Sequence, residues 1–583
     1  METKEYIVIL EKGIDYDQVW ADIESPTSGL PHIPDRAVNI INDHTVFDRL
    51  CAYALTDEEA EQVKQDPRVL GVEIPIEQML GVEIGPFTTQ NNNFTKPLTS
   101  NSGGDNQTCV NWGLIRNSNP TNVYGTNTTT SLNYNYVPDG TGVDVVISDS
   151  GIQADHPEFQ YVGNATSRVQ QINWATYVPA LSTMPSPYQD PDGHGTHVAG
   201  IATGKTYGWA KGSQIYSIVA YGAGAPSNLN QFAAIKLWHQ SKGANGRPTV
   251  VNMSWGSTYS WQFLAGVPAN TPTTYSNLQQ ATITILSNIS SVTYRGTSYP
   301  GSSDVTNYGV LLDSTNANCI NSLAAGIPYH TLQTDVALDD LINSGVVVIR
   351  AAGNSSYKID KPIGGTGDYN NYFTKSGINY YYQRGSSPAD SGYQSISVGN
   401  QDSVVYNSSQ DQKAISSNTG PGVDIYAAGA NILSASTSNV SGLKYARSAP
   451  YFLNNSFRQL NIGGTSMASP QIAGMAALYL QSHPPANNLS ANNSSQVKSW
   501  IVSSATNTMN SPGNATTYTN FTSTLGGNAI VAYQPIQGIS RVKDNNDIWQ
   551  TVANVYVKTD SSTWTQVQNV YTKTSSSVWK QTF

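Results

Sequence analysis

Apolar residues along this chain fall into three patterns, and each predicts a different region. Near the N-terminus short apolar runs alternate with amphipathic stretches. Tyr6–Leu10 predicts a strand, and Asp15–Glu24 a short helix with Val19, Trp20 and Ile23 on one side. Residues 37–41 and 49–55 predict a hairpin pair. Residues 57–64 predict a helix whose Thr56 cap and Glu59 form a capping box, and residues 69–74 a last strand. Strand-helix-strand-strand-helix-strand is the ferredoxin-like order, here assigned to residues 1–78. Residues 79–107, with an Asn run at 91–93 and Gly-Gly-Asp at 103–105, read as a polar linker.

From Gly142 the runs become mainly apolar: 143–148, 215–220, 250–253, 346–350 and 396–399. Candidate helices lie between them at 195–202, 229–240 and 329–343. Buried strands separated by helices predict an α/β parallel sheet with helices on both faces. In such sheets chemistry gathers at the carboxyl ends of the strands. Two Tyr-rich polar stretches, from Ser257 to about Pro328 and from Ser355 to about Pro388, interrupt the alternation. Each begins at a predicted strand end, so both are expected to drape near the active edge. A further helix is expected from Ser469, with Ile472, Met475, Ala476 and Tyr479 on its buried face and Pro470 in its first turn. Ser466 then sits on a glycine-supported turn before the helix, facing free N–H groups and the positive end of the dipole. That position suits a nucleophile, and equally an ordinary helix cap.

The tail, residues 538–583, repeats. Trp549, Trp564 and Trp579 keep a step of fifteen residues, and so do Lys543, Lys558 and Lys573. Alternating Val/Tyr runs around Ser/Asp turns predict stacked hairpins, serving either as an inert spacer or as an attachment or assembly module.

Composition narrows the classes. Charged residues make up 12% of 583, about half the usual share, and the net charge of −10 argues against a nucleic-acid partner. Three scattered cysteines exclude a disulfide scaffold. No apolar run approaches the roughly 18 residues of a membrane helix, and the N-terminus carries no secretory signal pattern.

Four polar residues sit where chemistry is expected. Asp149 closes the first apolar run, and His194 lies between glycines in Asp-Gly-His-Gly-Thr-His. The His194–His197 spacing also suits a metal, but no third ligand cluster stands nearby, and His197 reads as a packed helix residue. Asn354 follows a buried strand, where an amide can serve an oxyanion or merely a turn. Val-Asn-Met-Ser-Trp-Gly at 251–256 ends another strand.

Taken together, the Asp-Ser-Gly-Ile, His-Gly-Thr-His-Val-Ala-Gly and Gly-Thr-Ser-Met-Ala-Ser-Pro runs resemble the subtilisin-like serine proteases, the subtilases. Asp-His-Ser is that family's known chain order. The likeness covers about residues 1–75 and 108–510, apart from the two Tyr-rich stretches. It implies a subtilisin-like catalytic domain over 108–537, with 1–78 as an inhibitory prodomain and the β-repeats of the tail outside it.

The likeness implies a catalytic triad of Asp149, His194 and Ser466, with Asn354 at the oxyanion. Ser254, Trp255 and Gly256 would pair with substrate as an added strand, and Ala351, Ala352 and Gly353 would wall the pocket. A bulky Trp255 is expected to narrow that groove, and the two insertions to restrict access. The implied activity is that of a serine endopeptidase made as a self-processing precursor, losing activity as pH drops through about 6.5 if His194 is the base. The alternative is a virion or surface structural or binding protein on the same scaffold. No cofactor is needed for catalysis; structural calcium is compatible with the family, with no ligands assigned. Expected partners are a protein or peptide substrate, the prodomain as intramolecular inhibitor, and a surface glycan or assembly partner for the repeats. A prodomain without a preceding signal is expected to reach its surroundings by lysis or on a virus particle.

Overall fold

The computed structural model describes residues 3–25, 29–34, 36–42, 48–73, 82–86, 111–122, 134, 136, 138–259, 290–294, 296–300, 327–328, 331–354, 359, 371–381, 388, 390, 392–401, 411, 413–414, 416–438, 448–506, 509, 530–534 and six short strands between 540 and 581. The N-terminal unit contains β1 (Lys4–Leu10), α1 (Tyr16–Glu24), β2 (Asn39–Asn42), β3 (Leu50–Leu55), α2 (Asp57–Val63) and β4 (Val69–Glu73). Its antiparallel sheet runs β2-β3-β1-β4. Thr56 and Glu59 make the capping box that starts α2. The period of two along β1 divides its side chains between two cores. Val8 and Leu10 pack under the unit's own helices with Trp20 and Val63, whereas Ile7 and Ile9 join the core of the main sheet.

That main sheet is parallel and uses β6 (Asp144–Asp149), β7 (Gln214–Val219), β8 (Thr249–Met253), β13 (Val347–Ala351), β16 (Ile396–Gln401) and β17 (Ile425–Ala428), in the order β17-β16-β13-β8-β6-β7. Short α3 (Trp112–Arg116) precedes it. α4 (His194–Thr203) and α7 (Thr465–Ser482) cover one face, sharing a core with Val145, Ile147, Val347 and Ile349. α5 (Asn228–Ser241) and α6 (Leu332–Asn343) cover the other, against Val146, Val251 and Val348. Alternate residues of each strand therefore feed opposite cores, which is why apolar residues stand on both faces of these strands. After them come β18 (Ile432–Ser436), β19 (Ser448–Tyr451) and β20 (Asn454–Ile462), then α8 (Asn493–Ser504).

The segment expected to be a linker contains a strand. Among its described residues, β5 (Val82–Pro86) pairs antiparallel with β9 (Trp255–Tyr259), and β12 (Ile327–Pro328) pairs with the other edge of β9. The two interrupting stretches also meet. β10 (Ser291–Tyr294) and β11 (Thr297–Pro300) from the first form one sheet with β14 (Tyr372–Lys375) and β15 (Ile378–Tyr381) from the second, joined by β10–β14 pairing. In the tail, strands pair at the repeat step as three hairpins, with Lys543 opposite Trp549, Lys558 opposite Trp564 and Lys573 opposite Trp579.

Candidate active site

Strand register brings the sequence-identified residues to one edge. Ser148 is level with Met253, and Met253 with Arg350. Asp149, Ser254 and Ala351 thus end three adjacent strands, β6, β8 and β13, each about 4.8 Å from the next.

Asp149 is fully buried. Its Oδ1 accepts from Ser150 N at 2.8 Å, pairs with His194 Nδ1 at 2.7 Å, and accepts from Tyr221 OH at 2.8 Å. With Nδ1–H donating to the carboxylate, Nε2 of His194 is left as the acceptor; it is buried and has no hydrogen-bond partner among the described residues. α4 can start this close to β6 because residue 195 is glycine: a Cβ there would lie 2.0 Å from the Gly151 carbonyl. Buried Asp190 holds the turn, accepting from Ser150 Oγ, Gly193 N, and the N and Oγ1 of Thr196. Burial raises the Asp190 carboxyl above its ordinary pKa, against the lowering effect of the Thr196 and Gly193 hydrogen bonds. His197 packs inside, its Nε2 at 2.9 Å from the Leu460 carbonyl and 3.1 Å from that of Ile432. Among the described residues no group of three or more His, Cys, Asp or Glu is placed to hold a metal ion.

The helix bearing Ser466 begins at Thr465, not Ser469, so Ser466 lies in its first turn and Pro470 inside it. Apolar contact surrounds the helix, so it is buried through Leu478 rather than on one face. Pro470 has no N–H to give the carbonyl four residues back. That carbonyl is Ser466 O, and the Ser254 hydroxyl takes the place of the missing donor at 2.9 Å. In return Ser466 Oγ donates to Ser254 O at 3.1 Å. Asn252 Nδ2 steadies Ser254 Oγ, and Ser469 Oγ donates to Asn252 Oδ1. On the adjoining strand, Asn354 Oδ1 accepts from both N and Oγ1 of Thr465. This fixes the amide so that Nδ2 is buried with no partner among the described residues.

The groove residues are placed less uniformly. Backbone of Trp255 and Gly256 pairs with Pro86 and Gly85 of β5. The Trp255 side chain does not narrow the groove as expected: it is buried in the core, its Nε1 donating to Ser148 Oγ at 3.2 Å and its ring near Phe232. Ala351 is buried at the end of β13, and the carbonyls of Ala352 and Gly353 are both taken by Asn418. Gly353 adopts φ +98°, the left-handed region open to glycine, and its N–H donates to Thr465 Oγ1. Sequence reasoning missed Asp190, Tyr221 and Thr465. Asp190 stands four residues before His194, a signal that was available; Tyr221 lies just past the end of β7, with no local mark of its contact.

These side chains form a candidate serine-hydrolase site on a parallel α/β sheet, and comparison supplies the family. The subtilase family model matches residues 140–522. The chain belongs to the subtilase family and is a subtilisin-like serine protease. It is 25% identical over 444 residues to an extracellular serine proteinase of Thermus sp., covering 76% of this chain and 69% of that protein. It is 26% identical over 482 residues to subtilisin-like protease 2 of Pseudogymnoascus destructans, covering 82% and 79%. A protein named subtilisin-like proteinase 1 in Encephalitozoon cuniculi is 33% identical over 183 residues, 30% of this chain and 33% of that one, so the chain spans only a third of that relative's length. Fervidolysin from Fervidobacterium pennivorans shares the fold at a TM-score of 0.50 and 17% identity, over 93% of this chain and 62% of that one.

Proposed function

We propose that this chain is a serine endopeptidase, made as a precursor that processes itself, with Ser466 as nucleophile, His194 as base and Asp149 as its orienting acid. The observation that carries the reading is a pair of buried groups without partners among the described residues, His194 Nε2 and Asn354 Nδ2. They belong to opposite flanks of β8, whose end residue Ser254 holds Ser466. Each such group costs about 1–3 kcal/mol to bury without a partner, and here one acceptor and one donor flank the strand whose end holds the Ser466 hydroxyl. A bound substrate would use both: its carbonyl oxygen accepts from Asn354 Nδ2, while His194 Nε2 accepts from the Ser466 hydroxyl that attacks it.

The Ser466 hydroxyl turns from the Ser254 carbonyl to the imidazole, gives its proton to Nε2, and attacks the carbonyl carbon. Asp149 stabilises the imidazolium through Nδ1. The oxyanion takes its hydrogen bond from Asn354 Nδ2 and from backbone at the head of α7, where the helix dipole favours negative charge. His194 then returns the proton to the leaving amine, and water repeats the sequence on the acyl-enzyme. Every step uses side chains and backbone of this chain alone.

Three observations support the N-terminal unit as an intramolecular inhibitor. Its sheet order is that of a ferredoxin-like fold. The Glu73 carboxylate accepts from Leu332 N at 3.2 Å and Gln333 N at 3.0 Å, capping α6. Beyond it β5 lies on β9 as an added strand, with Pro86 opposite Trp255 next to Ser254. On this reading residues 82–86 occupy the groove as substrate would, and the chain is cut beyond them. The three tail hairpins support an attachment or assembly module for a surface glycan or an assembly partner, and with it a place on a virus particle or in the medium after lysis.

A sulfonyl fluoride is expected to label Ser466, and mass spectrometry to show loss of the N-terminal segment through Pro86 and beyond. Ser466→Ala is expected to stay full-length. A purified chain that keeps its N-terminus when concentrated and takes no label would refute the proposal.

A further inference from the structure

The hydroxyl of Tyr221 enters no step above, yet it touches both members of the acid–base pair. It donates to Asp149 Oδ1 at 2.8 Å and lies 3.1 Å from His194 Nδ1. The strand pairing delivers it there. Asp149 is level with Val219, and Ala220 N donates to the Asp149 carbonyl at 2.7 Å. The tyrosine follows at once, and Gly222, at φ +104°, turns the chain away. The ring meets the imidazole edge-on with centroids 6.3 Å apart, and it is buried. Burial and the neighbouring Asp149 charge raise the phenol well above its ordinary pKa, so it remains a donor throughout the neutral range.

We propose that Tyr221 is a positioning residue for the Asp149–His194 pair, one that moderates the carboxylate's hold on the imidazole by donating to the same oxygen. The inference rests on the serine protease reading above. Asp149 Oδ1 serves three donors, Ser150 N, His194 Nδ1 and Tyr221 OH, while Oδ2 has no partner among the described residues. Each neutral donor draws charge from the oxygen and weakens its attraction for the imidazolium. Without the phenol the carboxylate is more basic and holds the protonated histidine more firmly. The proton then passes less readily to the leaving amine. The phenol also fixes the carboxylate's rotation, and so which oxygen faces Nδ1.

The first test compares Tyr221→Phe with the unaltered enzyme. A drop in kcat of about tenfold is expected, equivalent to about 1.4 kcal/mol, with KM little changed. The acidic midpoint of the pH profile should move to higher pH. The titratable groups facing the hydroxyl are Asp149 on β6, His194 on α4, and Asp190 and Asp192 in the loop before α4, and the substitution alters none of them.

The second test needs no turnover. In the full-length Ser466→Ala chain, the proton between His194 Nδ1 and Asp149 is followed as a low-field proton NMR signal. Adding Tyr221→Phe should move it further downfield and raise the pH at which the imidazole titrates. If the unaltered enzyme takes no sulfonyl fluoride but this shift occurs, the protease reading fails while the role of Tyr221 stands. Tyr221→Leu, which removes the ring as well, should shift the signal in the same direction as Tyr221→Phe. A shift confined to Tyr221→Leu, or a Tyr221→Phe chain with unchanged signal and midpoint, overturns the proposal.

Discussion

Helices α4 and α7 both begin at the carboxyl edge of the sheet, and each carries a residue of the proposed triad in its first turn, but their N-termini are satisfied differently. At α4 the N–H groups face full carboxylates: Asp190 accepts from Asp192 N, Gly193 N and Thr196 N, and Asp192 from His194 N. At α7 there is no acid in the first turn, and the facing acceptor is the neutral amide oxygen of Asn354. The dipole of α4 is therefore already answered by acidic side chains, whereas that of α7 faces no acid and, on the proposed mechanism, is left for the charge of the oxyanion.

Charging the α7 end should have the largest effect. Asn354→Ala is expected to lower kcat about 100- to 1000-fold with little change in KM, a range that comes from another subtilase. Asn354→Asp should lose more than Asn354→Ala at neutral pH, because it sets a fixed anion where the oxyanion forms. Steady-state kinetics on the processed enzyme decide it. An Asp variant as active as the Ala variant would remove the distinction between the two helix ends.

Neutralising the α4 end should do less to catalysis and more to stability. Asp190→Asn keeps the volume but turns an NH2 toward groups that donate, leaving one or more buried donors unmet at a cost of about 1–3 kcal/mol. The fall in kcat should stay below the roughly 100-fold that a 1 Å misplacement can bring. Urea unfolding and kcat, measured on the same variant, separate the two. An Asp190→Asn chain of unchanged stability would show that α4 does not depend on the charge.

The contrast between the two helices also explains what could be read from sequence. Asp149, His194, Asn354 and Ser466 were legible because each sits at a strand or helix end inside a contiguous run. The parallel sheet was legible because its strands are buried on both faces. What escaped depends on partners distant in sequence. Residues 82–86 look like linker until β9 offers an edge. Val292 and Phe373 lie in separate polar insertions, yet they pair in register and are both buried. The Trp255 side chain goes to the core while its backbone keeps the groove edge, because alternation along a sequence does not tell which face of β9 meets the core. α7 starts ahead of the turn that Pro470 would mark as the first, because a serine from another strand makes an internal proline tolerable.

That last arrangement gives the smallest and most local test. In the Ser466→Ala chain, which keeps the carbonyl and cannot cut itself, Ser254→Ala should lower the urea midpoint, since a buried carbonyl then lacks its donor. Pro470→Ala restores an N–H at the position that would bond the same carbonyl within the helix. The Ser254→Ala loss should therefore shrink in the Pro470→Ala background, with a coupling of about 1 kcal/mol in a double-mutant cycle. If the two substitutions instead add to within about 0.5 kcal/mol, the carbonyl of residue 466 is not what they share, and the neutral end of α7 is held by the Thr465–Asn354 contact alone.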